Sequence, residues 1–310
     1  MQIFNNIERQ TSPSCVAVGC FDGIHIGHQK IISDMCSYAK ENNFTSTVFT
    51  FPTSPAAMLG KTPRRAIMTQ SDKMKFLESL GVEKCFSIDF MTIKDTSAEE
   101  YIKNILLENL RAKAVFCGFN YRFGKQAQGD SEFLHDVCSK LGVETFISSP
   151  ICCDESVVSS SRIRTLIENG EILTANKLLG KPFSVEQTIV EGKHNGRTVN
   201  IPTVNQNLPP EFVTPRFGAY ASFAVIDGKE FEAITNVGTR PTVGGVNKNV
   251  ETHILGGFGG NLYGKTVRTE LLYFIRDERK FDNLTQLSEQ IKLDIDFVYK
   301  NQIYEKYRRK

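Results

Sequence analysis

Apolar and polar positions are arranged in two different ways along the chain. Up to about residue 150, short apolar runs give way to stretches with helical spacing. Residues 15–21 form an apolar, strand-like run, and residues 27–38 then place Ile31, Ile32, Met35 and Cys36 at helical spacing. Residues 45–51 read as a second strand. Ser97-Ala98-Glu99-Glu100 has the pattern of a capping box, opening a helix that buries Tyr101, Ile105 and Leu106. Residues 114–117 read as a strand, 130–141 as a helix stopped by Gly142, and 143–147 as another strand. Strands alternating with helices predict a parallel sheet with helices on both faces, an α/β architecture.

From about Phe183 the texture changes. Short alternating stretches at 188–191, 220–226, 232–237, 250–255 and 267–275 are separated by Gly, Pro and Asn. Closely spaced strands with turn signals predict a small antiparallel β-barrel. One amphipathic helix follows, capped by Asn283 and Gln286, with Leu284, Leu287, Ile291, Ile295 and Val298 as its apolar stripe. A boundary at Gly180-Lys181-Pro182 divides the chain into domains 1–180 and 183–310. The length of 310 residues agrees with two domains.

Composition narrows the class further. With 40% hydrophobic and 23% charged residues, the chain is an ordinary globular mixture and not a disordered one. No apolar run approaches the roughly 18 residues of a membrane span, and Met1-Gln2-Ile3-Phe4-Asn5-Asn6 lacks the layout of a secretory signal. A formal charge of +2, with Lys and Arg scattered, gives no footprint for duplex nucleic acid. Neither a nucleic-acid nor a membrane partner is expected. Cys15, Cys20, Cys36, Cys85, Cys117, Cys138, Cys152 and Cys153 all precede residue 154, and none has C-x-x-C spacing. Reduced thiols in a cytoplasmic protein are the expectation.

The sharpest chemical signal is Gly19-Cys20-Phe21-Asp22-Gly23-Ile24-His25-Ile26-Gly27-His28, where the first strand turns into the first helix. Gly23 and Gly27 let backbone pass close to a ligand, and the helix start offers unpaired N–H groups to an anion. His25 and His28, three apart, can face one point and donate to phosphate oxygens as charge develops. Helical zinc ligands would sit four apart with a Glu between, which is absent here. A second cluster, Ser159-Ser160-Ser161-Arg162-Ile163-Arg164, puts hydroxyls and guanidinium groups at another helix start, suited to a triphosphate. A third, Gly118-Phe119-Asn120-Tyr121-Arg122-Phe123-Gly124-Lys125, interleaves aromatic and basic residues as a flat, phosphorylated ligand requires.

Together these blocks resemble the N-terminal half of the prokaryotic bifunctional riboflavin kinase/FAD synthetase family. The second half carries that family's kinase landmarks in order: Gly196-Arg197-Thr198, Pro202-Thr203-Val204-Asn205, Gly218-Ala219-Tyr220-Ala221, Asn236 to Thr242, Glu251-Thr252-His253 and Leu262-Tyr263-Gly264. The resemblance implies a Rossmann-like nucleotidyltransferase domain joining the AMP part of ATP to FMN, giving FAD and pyrophosphate. It also implies a barrel that phosphorylates riboflavin to FMN.

By the same resemblance His25 and His28 act in adenylyl transfer and Glu251 is the kinase base. Thr203 and Asn205, oxygen ligands on a turn stiffened by Pro202, hold Mg²⁺ with the nucleotide. Nucleotide and flavin contacts are implied for Gly19, Phe21, Asp22, Gly23, Gly27, Asn120, Arg122, Ser159, Ser160, Ser161 and Arg164. In the second half they are implied for Gly192, Thr198, Pro202, Thr203, Asn205 and Arg240. Riboflavin, FMN, FAD and ATP are the implied partners, with the protein a monomer or weak homo-oligomer. Two other readings stay open at this point. One is a monofunctional FAD synthetase whose barrel survives as a scaffold. The other is a flavin-binding regulatory protein with both sites degraded.

Overall fold

Strand and helix alternate through the first half of the computed structural model, which describes residues 1–60, 65–189, 203–242, 245–258, 262 and 264–308 (backbone only at 203, 240–242, 245–247 and 284). By contacts the chain divides into two units, Met1–Ser160 and Ser161–Lys310. The first unit runs β1 (Gln2–Phe4), β2 (Ser14–Val18), α1 (Ile26–Glu41), β3 (Thr45–Thr50), α2 (Pro55–Met58), α3 (Gln70–Ser79) and β4 (Lys84–Ser87). It continues through α4 (Ala98–Glu100), β5 (Ala112–Gly118), β6 (Arg122–Phe123), β7 (Gly129–Asp130), α5 (Ser131–Lys140), β8 (Glu144–Ser148) and the hairpin β9 (Cys152–Cys153)–β10 (Ser156–Val157).

Six strands form one sheet in the order β1-β4-β3-β2-β5-β8, and every pairing is parallel. All five residues of β2 are buried, because both faces of the sheet are covered. Its alternate side chains feed two cores. Val16 and Val18 join Phe49, Ile102 and Leu134 on one face, while Cys15 and Ala17 join Ile32, Met35 and Leu77 on the other. From β2 the chain passes through α1 to β3 on one side, while β5 lies on the other. Ligands of open α/β sheets bind at such a reversal, outside the carboxyl ends of the strands.

The capping box at Ser97 forms in full, with Ser97 and Glu100 each accepting from the other's backbone N–H. The helix it opens soon widens to π-helical turns over Tyr101–Asn109, with Tyr101, Ile102, Ile105 and Leu106 all buried. Strands β1 and β4 and helix α3 carried no clear pattern in the sequence. They are short or largely polar, and their placement comes from pairing and packing.

Helix α6 (Ser160–Glu168) leads into α7 (Ile172–Leu179), followed by β11 (Phe183–Thr188), β12 (Thr203–Asn207), β13 (Gly218–Ile226), β14 (Lys229–Thr242), β15 (Gly245–Ile254), β16 (Thr266–Asp277) and α8 (Leu284–Lys300). The six strands pair antiparallel throughout, in the order β11-β16-β13-β14-β15-β12. The edge strands β11 and β12 are joined by side chains. Gln206 of β12 donates to the carbonyl of Val185 in β11 at 3.4 Å, and Gln187 of β11 donates to that of Asn207 in β12. Inside, Ser222, Thr235, Thr252, Thr269 and Gln206 form a buried chain of hydrogen bonds across five strands.

Helix α8 covers an outer face around Phe223, Ile234 and Leu272. It is pinned by the Arg276–Asp294 pair, whose carboxylate is 2% exposed. Asn176 of α7 donates to the Leu271 carbonyl at 2.8 Å and accepts from the Phe183 N–H at 2.7 Å, so α7 sits on the barrel. One expectation is corrected here. Thr203 and Asn205, read as standing on a turn, lie in strand β12, because Thr-Val-Asn-Gln-Asn alternates and pairs along β15. All eight cysteines are free thiols. Among the described residues no helix is long and apolar enough to cross a membrane.

Candidate active sites

The turn after β2 is held in an unusual backbone shape. Phe21 and Ile24 have φ of 50° and 38°, and Gly23 has 78°. Side-chain-bearing residues adopt such angles at a cost, and they persist only where the surroundings enforce them. Here the anchors are visible. Asp22 accepts the Ile67 N–H at 3.0 Å, the Asp22 carbonyl accepts the Ser160 hydroxyl at 2.9 Å, and the Gly19 N–H reaches the Phe49 carbonyl at 3.2 Å.

His25 caps α1. Its Nδ1 accepts the His28 N–H at 3.3 Å, so the neutral ring carries its proton on Nε2. The His28 ring stacks on it, with centroids 3.6 Å apart, and Phe21 meets His28 edge-on. A Cβ at Gly27 would come within 3.2 Å of the His25 imidazole, so a larger residue there would push the ring aside by a few tenths of an ångström. Burial pushes His25 down to about 4. It pushes His28 well below the usual histidine range, assisted by the fields of His25 and Lys73. Both rings are therefore neutral near pH 7. Nδ1 of His28 is buried without a hydrogen-bond partner among the described residues. A buried polar atom left this way takes its partner from outside the protein, a water or a ligand atom.

The same unit holds a cavity of about 660 Å³, lined by Phe51, Phe90, Tyr101, Tyr121, Phe123 and Lys125, among others. Tyr121 and Phe123 lie parallel at 5.3 Å, and the Tyr101 and Tyr121 hydroxyls meet at 3.0 Å. An aromatic, largely apolar cavity with a few polar groups is the form of a small-molecule site. Arg122 is exposed and pairs with Asp130 at 3.2 Å. Asn120 is exposed beside Gly118, at the carboxyl end of β5 next to β2.

The barrel assembles a second cluster. In register, Asn205 of β12 and Asn236 of β14 flank Glu251 of β15 on either side. The Asn249 side-chain amide donates to Glu251 Oε1 at 2.8 Å and to Asn205 Oδ1 at 3.1 Å. A carboxylate and an amide oxygen are thus held side by side on one outer face of the strands.

Both halves match family models, that of FAD synthetase over residues 7–162 and that of riboflavin kinase over residues 179–301. The chain belongs to the bifunctional riboflavin kinase/FMN adenylyltransferase family. The Bacillus subtilis member is 31% identical over 93% of this chain and 92% of its own length. A Buchnera aphidicola member (subsp. Schizaphis graminum) is 32% identical, covering 96% of both chains. A solved Streptococcus pneumoniae structure, titled a macrolide-efflux protein, superposes with a TM-score of 0.86 at 30% identity, covering 97% of this chain and 99% of that one. The match of both family models over nearly the full length disfavours the monofunctional reading.

Against the residues that the family's pattern points to, Gly19, Phe21, Asp22, Gly23, His25, Gly27, His28 and Ser160 come together at one turn. Ser159 is half-buried beside Ser160. Ser161 and Arg164 lie on α6 and belong to the second unit, with Arg164 one turn along from Ser160. Asn205 and Glu251 come together in the barrel. Gly192, Thr198 and Pro202 lie outside the described residues, as do the side chains of Thr203 and Arg240. Sequence reading missed Asn249, which links Asn205 to Glu251, and the aromatic wall supplied by Phe51 and Phe90. A single Asn in a strand carries no signal of its own. The wall is drawn from segments far apart in sequence.

Proposed function

We propose that the family's two reactions are divided between two domains of the chain. Adenylyl transfer takes place at the 19–28 turn with residues of domain 1–180, and riboflavin phosphorylation on the outer face of the barrel with residues of domain 183–310. In the first reaction a phosphate oxygen of FMN attacks the α-phosphorus of ATP. The bond to the bridging oxygen breaks, and pyrophosphate leaves with that electron pair. The nucleophile belongs to the substrate, so the protein needs only to position it and stabilise charge.

His25 Nε2–H and the half-buried His28 face the phosphates as neutral donors, and the start of α1 adds backbone N–H groups. The aromatic cavity takes the flavin ring, with Lys125 and Arg122 at its margin for the FMN phosphate. Ser159 and Ser160 contribute hydroxyls, and the assignment of Ser161 and Arg164 to the triphosphate rests on the sequence motif.

In the second reaction the riboflavin hydroxyl attacks the γ-phosphorus, its proton passes to Glu251, and ADP leaves. Asn249 holds Glu251 in place for that transfer. The oxygen donors of Asn205 and Glu251 suit a hard cation. Asn205 and Thr203 would hold Mg²⁺ with the nucleotide, and the cation would neutralise phosphate charge.

The observation that carries this reading is the unpartnered Nδ1 of His28 at the sheet's topological switch point, in a unit that also holds an aromatic cavity of about 660 Å³. Incubation with riboflavin, ATP and Mg²⁺ followed by chromatography tests it. FMN and then FAD are expected. Flavin that binds but is never converted would support a regulatory protein instead.

A further inference from the structure

Lys73 of α3 is only 5% exposed, which is rare for a lysine. Its ammonium donates to three oxygens: the Cys20 carbonyl at 2.6 Å, the Thr50 hydroxyl at 2.8 Å and the Phe51 carbonyl at 3.0 Å. Thr50 directs its own hydrogen to the Cys20 carbonyl at 3.0 Å, so towards Lys73 it acts as acceptor. Three acceptors need three hydrogens, which only the charged amine carries.

All three partners are neutral, so much of the desolvation penalty of this cation is left standing. Burial accordingly pushes the lysine below its usual range, opposed by the fields of Cys20, Cys85 and Asp22. The place of the charge is informative. Cys20 belongs to the 19–28 turn, while Thr50 and Phe51 end β3, the neighbour of β2. The ammonium therefore lies under the carboxyl ends of two central strands, and its field reaches His28.

We propose that Lys73 is a positioning residue for adenylyl transfer, fixing the Cys20 carbonyl against the end of β3 and holding a positive charge beneath the phosphate turn. The inference rests on the reading of that turn as the adenylyl-transfer site. The charge stabilises the electron pair that passes to the bridging oxygen as pyrophosphate departs, and Lys73 itself neither gains nor loses a proton.

The test is steady-state FMN adenylylation by the full chain carrying Lys73→Met, Lys73→Arg or Thr50→Val. At saturating ATP, kcat of Lys73→Met should fall about 10–100-fold, less than for loss of a direct donor. The KM for FMN and FMN fluorescence quenching should stay within about twofold, the signature of an interaction made in the transition state. Lys73→Arg, which keeps the charge, should be faster than Lys73→Met. Thr50→Val, which removes one acceptor and keeps the charge, should retain most of the rate. An unchanged kcat in Lys73→Met overturns the proposal. So does a fall in kcat matched by loss of flavin binding, or Lys73→Arg no faster than Lys73→Met. Unmutated protein that makes no FAD from FMN and ATP would instead overturn the reading of the turn itself, and this inference with it.

Discussion

The imidazole of His25 lies on that of His28, with centroids 3.6 Å apart and planes 18° from parallel. Two charged rings at that distance would repel, and both are buried enough to be held neutral. The pair is therefore a neutral donor surface at the start of α1. His28→Ala should lower FAD formation from FMN by about 10²–10³, the usual loss for one preorganised donor. Riboflavin phosphorylation should be nearly unaffected, and a coupled assay with each flavin supplied separately reads both.

The same pair sets a pH dependence. A histidine held below its ordinary pKa of about 6.5 is protonated more readily in the unfolded chain. Its contribution to stability is complete above that pH and falls as the pH drops towards His25's value of about 4. The melting temperature should therefore fall between pH 6.5 and 4, and less so in His25→Ala. Histidine NMR signals check the cause directly. Those of His25 and His28 should not titrate between pH 6 and 8.

Much of this architecture was legible in the sequence, for identifiable reasons. Cys15 to Val18 is uniformly apolar because β2 is covered on both faces, and Ser97 with Glu100 announces its helix because a capping box is local chemistry. The strand ends at β4 and the run of α3 were not legible, since a polar helix containing a buried Lys73 contradicts the pattern expected of it. At the sites, the Gly- and His-rich turn stood out because its residues are consecutive. Asn249 and the aromatic wall did not, because pairing and packing bring them together from distant segments.

Asn249 bridges Glu251 and Asn205, and its loss leaves both less well oriented. Asn249→Ala should slow riboflavin phosphorylation about tenfold, equivalent to ~1.4 kcal/mol, with the KM for riboflavin little changed. Kinetics of FMN formation at saturating ATP will show whether the loss falls on kcat.

The buried Arg276–Asp294 pair fixes α8 to the barrel. Asp294→Ala leaves the mostly buried guanidinium without its carboxylate and should cost about 3–5 kcal/mol. Denaturant unfolding of the second unit measures it, and a cost under about 1 kcal/mol would show that the pair does not anchor the helix.

Asn176 and the apolar side chains of α7 pack on β11 and β16. A fragment from Ser161 onward should therefore melt cooperatively. One beginning at Phe183 should be weaker by at least about 3 kcal/mol, the scale of burying two apolar side chains. Equal stability of the two would show that the helices add nothing to the barrel.

Two chemistries separable by residue within one chain are the centre of this account, and Glu251→Gln tests it most directly. Gln keeps the shape and can still bond Asn249, but it cannot accept the riboflavin proton. With riboflavin, ATP and Mg²⁺, FMN formation should fall by about 10²–10⁴. With FMN supplied instead, FAD should form at the unmutated rate. Undiminished FMN formation, or loss of both activities in a protein that still melts normally, would contradict it.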